Sequence, residues 1–298
     1  MKKLLTLKVS DVTPYINWIY FFHAWGFEPR FTRISLIHGC DACKALWVAN
    51  FPEKERIKAI AAMQLYKEAQ RMLLSLENDI EILVIYKLCK ANSIGNNILL
   101  DNTLLPLLRQ QAIHAEGMPN LCLSDYVRPL SSGIPDTVGV FAASVPPQIE
   151  EKTQDDSYKH LLIQTLSDRL VEAAIEKTHK QIRQIEWGYA PDEQLSISEL
   201  LEGKFQGIRP AVGYPSLPDQ SINFILDKIL DYKSIGISLT ENGAMNPHAS
   251  ISGLIISHPA AKYFSVGEIG KDQLEDYSRR RGMSIEQMKK FLIANCDY

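Results

Sequence analysis

The sequence predicts an α+β protein with an antiparallel sheet, flanking helices and one long helix. Three observations carry that reading. Strand-like and helix-like segments come in mixed order, without the regular β-α-β alternation that builds parallel sheets. Leu162, Leu166, Leu170 and Ala173 lie on one stripe at helical spacing, inside a helix read over residues 157–186. The apolar run at 138–145 is short and is stopped by Pro146 and Pro147. The 298 residues are read as one domain, 1–298.

In chain order, residues 12–25 read as a short aromatic helix. Residues 55–77 read as a second helix, because Ile57, Ile60, Ala61, Leu65, Ala69 and Leu73 recur at helical spacing with charges between them. Residues 82–88 and 97–100 read as strands, with Asn92-Ser93-Ile94-Gly95-Asn96 as the turn between them. Residues 138–145 form another apolar strand, stopped by Pro146 and Pro147. The polar stretch 148–156 reads as a loop, and 146–156 is the candidate divide between lobes. On the long helix, Asp168, Glu172 and His179 fall opposite the apolar stripe. Ser196-Ile197-Ser198-Glu199 is a capping box for a short helix, and 223–231 reads as a further one. Residues 237–239, 249–256 and 263–269 read as strands. The end is helical: 271–281 stops at Gly282, and Ser284 with Gln287 opens the last helix through a second capping box.

Composition excludes several classes. The chain is 46% hydrophobic and 22% charged, as soluble globular proteins are, and a core of this size needs no disulfide or metal. A net charge of -3 and the lack of a long basic stripe argue against nucleic acid as a partner. Arg279-Arg280-Arg281 is a short run at a helix end, where cations suit the dipole. Five scattered cysteines, an odd number, argue for a reduced setting. Lys8 and Asp11 break the first apolar run before a secretory signal forms, and the aromatic run at 15–27, interrupted by Asn17 and His23, is too short to span a bilayer. The expected location is cytoplasmic, with no membrane partner.

Familiar catalytic signatures are absent. The sequence holds no Gly-x-Gly-x-x-Gly, no Walker A pattern, no His-Glu-x-x-His and no Gly-x-Ser-x-Gly. It also lacks Asp-x-His-x-x-Gly, through which many cobalamin-binding modules offer a histidine to cobalt. The chain is therefore not expected to hold a corrinoid tightly by itself.

The chemistry concentrates in two stretches, Gly207-Ile208-Arg209-Pro210-Ala211-Val212-Gly213-Tyr214-Pro215 and Ser257-His258-Pro259-Ala260-Ala261-Lys262-Tyr263-Phe264. Arg209 offers a planar fork that suits a carboxylate. Pro210 stiffens the turn, while Ala211 and Gly213 let the backbone approach a ligand. Tyr214 and Tyr263 present aromatic faces to a cation, and hydroxyl groups. By spacing alone the same residues also fit a proline-rich surface turn with an exposed arginine.

The order of these motifs resembles the activation domain of cobalamin-dependent methionine synthase. Arg209-Pro210-Ala211-Val212-Gly213-Tyr214-Pro215 matches that family's Arg-Pro-Ala-x-Gly-Tyr-Pro, and Trp187-Gly188-Tyr189-Ala190-Pro191 matches its Trp-Gly-Tyr-Ala-Pro. Leu239-Thr240-Glu241, Ala244-Met245, Ala249-Ser250-Ile251-Ser252-Gly253, Ser257-His258-Pro259, Asp272-Gln273-Leu274-Glu275-Asp276-Tyr277 and Arg280-Arg281-Gly282-Met283-Ser284 fall in register. Leu108-Arg109-Gln110-Gln111 and Cys122-Leu123-Ser124-Asp125-Tyr126 also fit. The best match covers 80–298, while 1–55 holds a divergent N-terminal segment.

The resemblance implies an activation-domain-like fold with a twisted antiparallel sheet and a long central helix. It implies that S-adenosylmethionine binds Arg209, Ala211, Gly213, Tyr263 and Phe264, that Tyr214 and Pro215 face cobalamin, and that Glu172 is an acidic position of the site. It implies no side chain acting as nucleophile or general base, and cobalamin reached through a partner: the cobalamin-binding module of methionine synthase or a related corrinoid protein. On it the chain, standing alone, would support reductive methylation of cob(II)alamin to methylcobalamin, with an electron from a flavodoxin-type donor. That makes it an accessory subunit rather than a complete enzyme. Two positions depart from the pattern. Asn17 in Tyr15-Ile16-Asn17-Trp18 stands where the family has an aspartate for the ligand ammonium. A hydrogen bond to a charged group contributes about 1.5–3 kcal/mol, so the loss of that charge implies about tenfold weaker binding or more. Gln220 in Pro218-Asp219-Gln220 stands where the family usually has histidine. The alternatives are a ligand-binding module without turnover and a reactivator of a different corrinoid methyltransferase.

Cys40 and Cys43 form a Cys-x-x-Cys after His38 and Gly39. A redox pair and half of a zinc site are the functional readings. No second close pair completes a zinc site, and the family pattern lacks these cysteines, so the expectation is that they are incidental.

Overall fold

The computed structural model describes residues 2–37, 40–112, 117–147 and 155–296. His38, Gly39 and residues 148–154 of the expected loop lie outside these. In chain order the elements are β1 (Lys2–Leu7), α1 (Val9–Val12), α2 (Trp18–Ala24), α3 (Asp41–Ala49), α4 (Glu53–Leu76), β2 (Ile82–Ile94), β3 (Asn97–Leu100), β4 (Thr103–Pro106), β5 (Asp136–Ser144), α5 (Ser157–Gln181), α6 (Ile197–Leu201), α7 (Asn223–Leu230), β6 (Ser238–Leu239), β7 (Met245–Asn246), β8 (Ser250–Ile255), α8 (Lys271–Arg281) and α9 (Ile285–Phe291). Short 3-10 turns join several of them. The mixed order and the antiparallel pairings are those of the expected α+β class.

The chain forms two compact units, one of Met1–Leu5, Val84–Ser144 and Thr178–Tyr298, the other of Thr6–Leu83 and Val145–Lys177. The second unit is helical and its interior is aromatic. Trp18 meets Tyr66 edge-on at 4.7 Å, Phe31 stacks on Phe51 at 5.0 Å, and Trp25 meets Tyr158 at 5.4 Å. The expected aromatic helix is α2, begun by Asn17, whose side-chain oxygen accepts from the Ile19 N–H at 3.1 Å. The expected helix at 55–77 is α4, but its buried stripe is Ala59, Ala62, Leu65, Tyr66, Ala69, Leu73 and Leu76. Ile57, Ile60 and Ala61, assigned to the stripe from the sequence, are exposed.

The first unit is built on a sheet of order β4-β3-β2-β5-β8, with β1 also paired to β2. β2 and β3 form an antiparallel hairpin in which Ile94 faces Asn97. The turn shrinks to Gly95-Asn96, and Gly95 takes a φ of 56°, a value that suits a two-residue hairpin. The strand read at 82–88 therefore runs on to Ile94. β5 pairs antiparallel with β8 from Gly139↔Ile255 to Ser144↔Ser250. Both capping boxes form, at Ser196–Glu199 and Ser284–Gln287, and α8 ends at Gly282 in the left-handed region.

Two further sequence expectations fail. Residues 263–269 form no strand. Val266 and Ile269 are apolar because they join Leu108, Leu274, Tyr277, Met288 and Leu292 in a buried cluster under α8 and α9. Nor does His179 lie on an exposed face of α5, since it is fully buried. Along α5 the buried residues include Ser167, Glu176 and Thr178 beside the apolar ones, so no single polar face survives. No described helix is long and apolar enough to cross a membrane.

Candidate functional site

The Arg209 stretch is fixed by β8. Ile208 exchanges backbone hydrogen bonds with Ile256, both at 2.9 Å, the Val212 N–H donates to Ser252 O at 2.9 Å, and the Leu254 N–H donates to Pro210 O at 3.0 Å. These bonds cover the side of β8 away from β5, where unpaired backbone groups would otherwise remain. The approach demands glycine: a Cβ on Gly253 would lie 2.3 Å from Pro210 O and 2.9 Å from the Ala211 Cα. One on Gly207 would lie 2.3 Å from Ile256 O, and its φ of 85° disfavours a side chain as well.

The two motif stretches are stitched together. The Arg209 N–H donates to the Tyr263 hydroxyl at 3.0 Å, and Gln206 Nε2 donates to Ser257 O at 2.8 Å. The Phe264 N–H donates to Ser216 Oγ at 3.1 Å, Ser216 Oγ in turn donates to Phe264 O, and the Val266 N–H donates to Pro215 O at 2.8 Å. Within the turn, the Gly213 N–H donates to Leu217 O and the Leu217 N–H to Tyr214 O, both at 2.8 Å. The structure thus gathers Arg209, Ala211, Gly213, Tyr214, Pro215, Tyr263 and Phe264. Tyr214 and Tyr263 are about half exposed, at 51% and 54%. Ala211 is buried, and Phe264 is half-buried against the C-terminal cluster.

Behind Arg209 lies a charged and aromatic support that the motif did not name. The Arg209 guanidinium is 5.4 Å from the centre of the Phe205 ring, and that of Arg183 is 4.3 Å from it. Arg183 is fully buried and pairs bidentately with Glu193, at 2.8 and 2.7 Å. That pairing neutralises one of two cations sharing a ring. His179 meets Phe205 edge-on at 5.0 Å, and its Nε2 is 3.1 Å from the Tyr189 hydroxyl. Burial, then the positive charges of Arg209 and Arg183, hold the His179 pKa well below the usual histidine range, so the ring is neutral. Burial likewise raises Tyr189. The trace of this support in the sequence was the Trp187–Pro191 motif, which places Tyr189 and leads to Glu193.

Beyond the turn, Asp219 is buried and accepts from the Ser221 N–H at 2.8 Å and the Tyr277 hydroxyl at 2.7 Å. It also pairs with Arg281 at 3.4 Å. Burial, then the Asp219 charge, keep Tyr277 protonated well above the usual tyrosine range. Arg281 is thus a buried anchor rather than a surface cation serving the helix dipole. The other motifs are also fasteners. Arg109 grips Asp125 with two bonds, at 2.7 and 2.6 Å, and Gln273 binds both the N–H and the carbonyl of Arg109 at 2.8 Å.

Asn17 and Glu172 belong to the other unit. Asn17 is the α2 cap already described. Glu172 is half-buried and pairs with Arg169 at 2.9 Å, and that guanidinium is 6.0 Å from the centre of the Tyr20 ring. The described residues contain no group of three or more metal-ligating side chains.

Residues 8–282 match the family model for the activation domain of vitamin B12 dependent methionine synthase. The chain is also similar to the crystal structure of the MetH reactivation domain bound to AdoHcy. That match has 32% identity and a TM-score of 0.88, and covers 100% of this chain and 91% of the other. With the fold and the motif order, these matches place the chain in the family of vitamin B12 dependent methionine synthase activation domains.

Proposed function

We propose that the chain binds S-adenosylmethionine at the Arg209 turn and docks on a cobalamin-binding module to support reductive methylation of cob(II)alamin. The observation that carries this reading is the Arg209 turn, pinned to β8 and to Tyr263, in a chain whose similar structure is a reactivation domain bound to AdoHcy. AdoHcy shares its carboxylate, ammonium and adenine with S-adenosylmethionine and lacks the transferable methyl and, with it, the sulfonium charge.

The residues fit such a ligand. Arg209 supplies a fork for the carboxylate. Ala211 and Gly213, small and turned by the 87° φ of Gly213, leave backbone within reach of an adenine. Tyr263 and Phe264 offer ring faces beside it. Tyr214 and Pro215, both exposed, are the positions proposed to face the corrin. Asn17 and Glu172 are proposed contributors on the strength of the family pattern. When bound, the cofactors supply the chemistry: a methyl group from the sulfonium, and one electron from a flavodoxin-type donor. The protein supplies position and water exclusion.

Calorimetric titration with S-adenosylmethionine, with and without a cobalamin-binding module, tests the reading. Binding in both, with complex formation that depends on cobalamin, supports it. Ligand binding with no complex would leave a binding module without turnover, and no binding in either sinks the proposal.

A further inference from the structure

Cys40 and Cys43 serve none of the roles above. Cys40 is the N-cap of α3 and Cys43 lies in its first turn. Their sulfurs are 3.9 Å apart, and both side chains are exposed. The nearby backbone N–H groups of Cys43 and Ala42, and then the Cys43 side chain, lower the Cys40 pKa. Helix starts favour a thiolate for the same reason that they favour other anions. Two of the other described cysteines contrast with this pair. Cys89 and Cys122 are buried, and burial raises both thiols, Cys89 to about 12. The described residues bring no third metal-ligating side chain to the pair.

We propose that Cys40 and Cys43 form a redox-active dithiol that reacts with small disulfides of the glutathione class. The Cys40 thiolate attacks one sulfur of the disulfide RSSR, forming a Cys40–SR mixed disulfide and releasing RS⁻. Cys43 gives its proton to solvent and attacks the Cys40 sulfur, which closes the Cys40–Cys43 disulfide and releases the second RS⁻. The protein loses two electrons and two protons, and RSSR is reduced to two thiols. The i, i+3 spacing at a helix start keeps the two side chains neighbours, so closure needs rotation of side chains rather than unwinding of α3.

The test treats the full-length chain with glutathione disulfide at neutral pH, quenches it with acid and iodoacetamide, and reads intact mass and peptide maps. The expected result is a loss of two hydrogens mapped to a Cys40–Cys43 disulfide. C43S should stop at a glutathione adduct on Cys40, and C40S should slow the reaction about tenfold, the effect of losing a thiol with lowered pKa. Both positions are exposed, and thermal melts of the variants confirm that they fold. Adducts scattered over Cys40, Cys43 and Cys296 at similar rates, with no internal disulfide, would overturn the proposal. So would a pair that stays reduced.

Discussion

The backbone N–H of Arg209 donates to the hydroxyl of Tyr263 at 3.0 Å, so the residue that carries the site's charge is aimed by one that presents its aromatic face. Y263F removes that acceptor and keeps the ring. A net hydrogen bond contributes about 0.5–1.5 kcal/mol, so stability is expected to fall by about that much, and under the proposed function S-adenosylmethionine affinity should fall with it, by up to about tenfold, as Arg209 is less well aimed. R209K should cost more, because lysine cannot make the bidentate pair. Calorimetry on the two variants checks the order.

Gly253→Ala places a methyl group against Pro210 O and the Ala211 Cα. The expected cost is about 1–3 kcal/mol of stability, with the Arg209 stretch pushed off β8. Hydrogen exchange reads this locally: the Val212 and Leu254 amides should lose protection more than those of β5. Uniform loss would show that the contact is ordinary packing.

Phe205→Leu keeps an apolar side chain and removes the π face beneath Arg183 and Arg209. Each cation–ring contact is worth about 0.5–2 kcal/mol, so both stability and ligand affinity should drop. If affinity is unchanged while stability falls, the ring supports Arg183 alone.

His179 makes stability depend on pH. Its folded pKa lies below its unfolded value, so the unfolded chain binds the extra proton. The stabilisation from the neutral ring is complete above the unfolded histidine pKa, near 6.5, and is lost as pH falls from there toward the folded value. The slope expected from this one residue is about 1.4 kcal/mol per pH unit. H179Q should flatten the curve of stability against pH just below 6.5, measured by urea denaturation, even if it lowers the plateau.

Asn17→Asp restores the acid of the family pattern at a position where aspartate caps a helix equally well, so α2 is expected to stay intact. Under the proposed function the affinity for S-adenosylmethionine should rise about tenfold. An unchanged value would mean that Asn17 serves α2 only.

Much of this was legible in the sequence, for identifiable reasons. The capping boxes at Ser196 and Ser284 are local chemistry, and local chemistry survives folding. So does a run such as 138–145, buried on both faces in β5 and read correctly as a strand. What failed depended on neighbours distant in sequence. Val266 and Ile269 looked like strand residues because a cluster from α8 and α9 buries them. His179 looked like a surface residue because its partners, Tyr189 and Phe205, come from loops with no periodicity. Within the site, the residues at Arg209 and Tyr263 were visible as motifs. Phe205, Arg183 and Glu193 were not, because support for a side chain has no fixed spacing. Asn17 was read for its missing charge, while its hydrogen bond to Ile19 is what the fold uses.

The buried Asp219 holds the exit of the Arg209 turn through Tyr277, which lies 58 residues further along the chain, and through Arg281. A ribosome makes the turn well before it makes these fasteners. Before α8 has emerged, Asp219 has its local partner, the Ser221 N–H, but neither Tyr277 nor Arg281. The exit of the Arg209 turn therefore lacks its Tyr277 and Arg281 fasteners until α8 has been made.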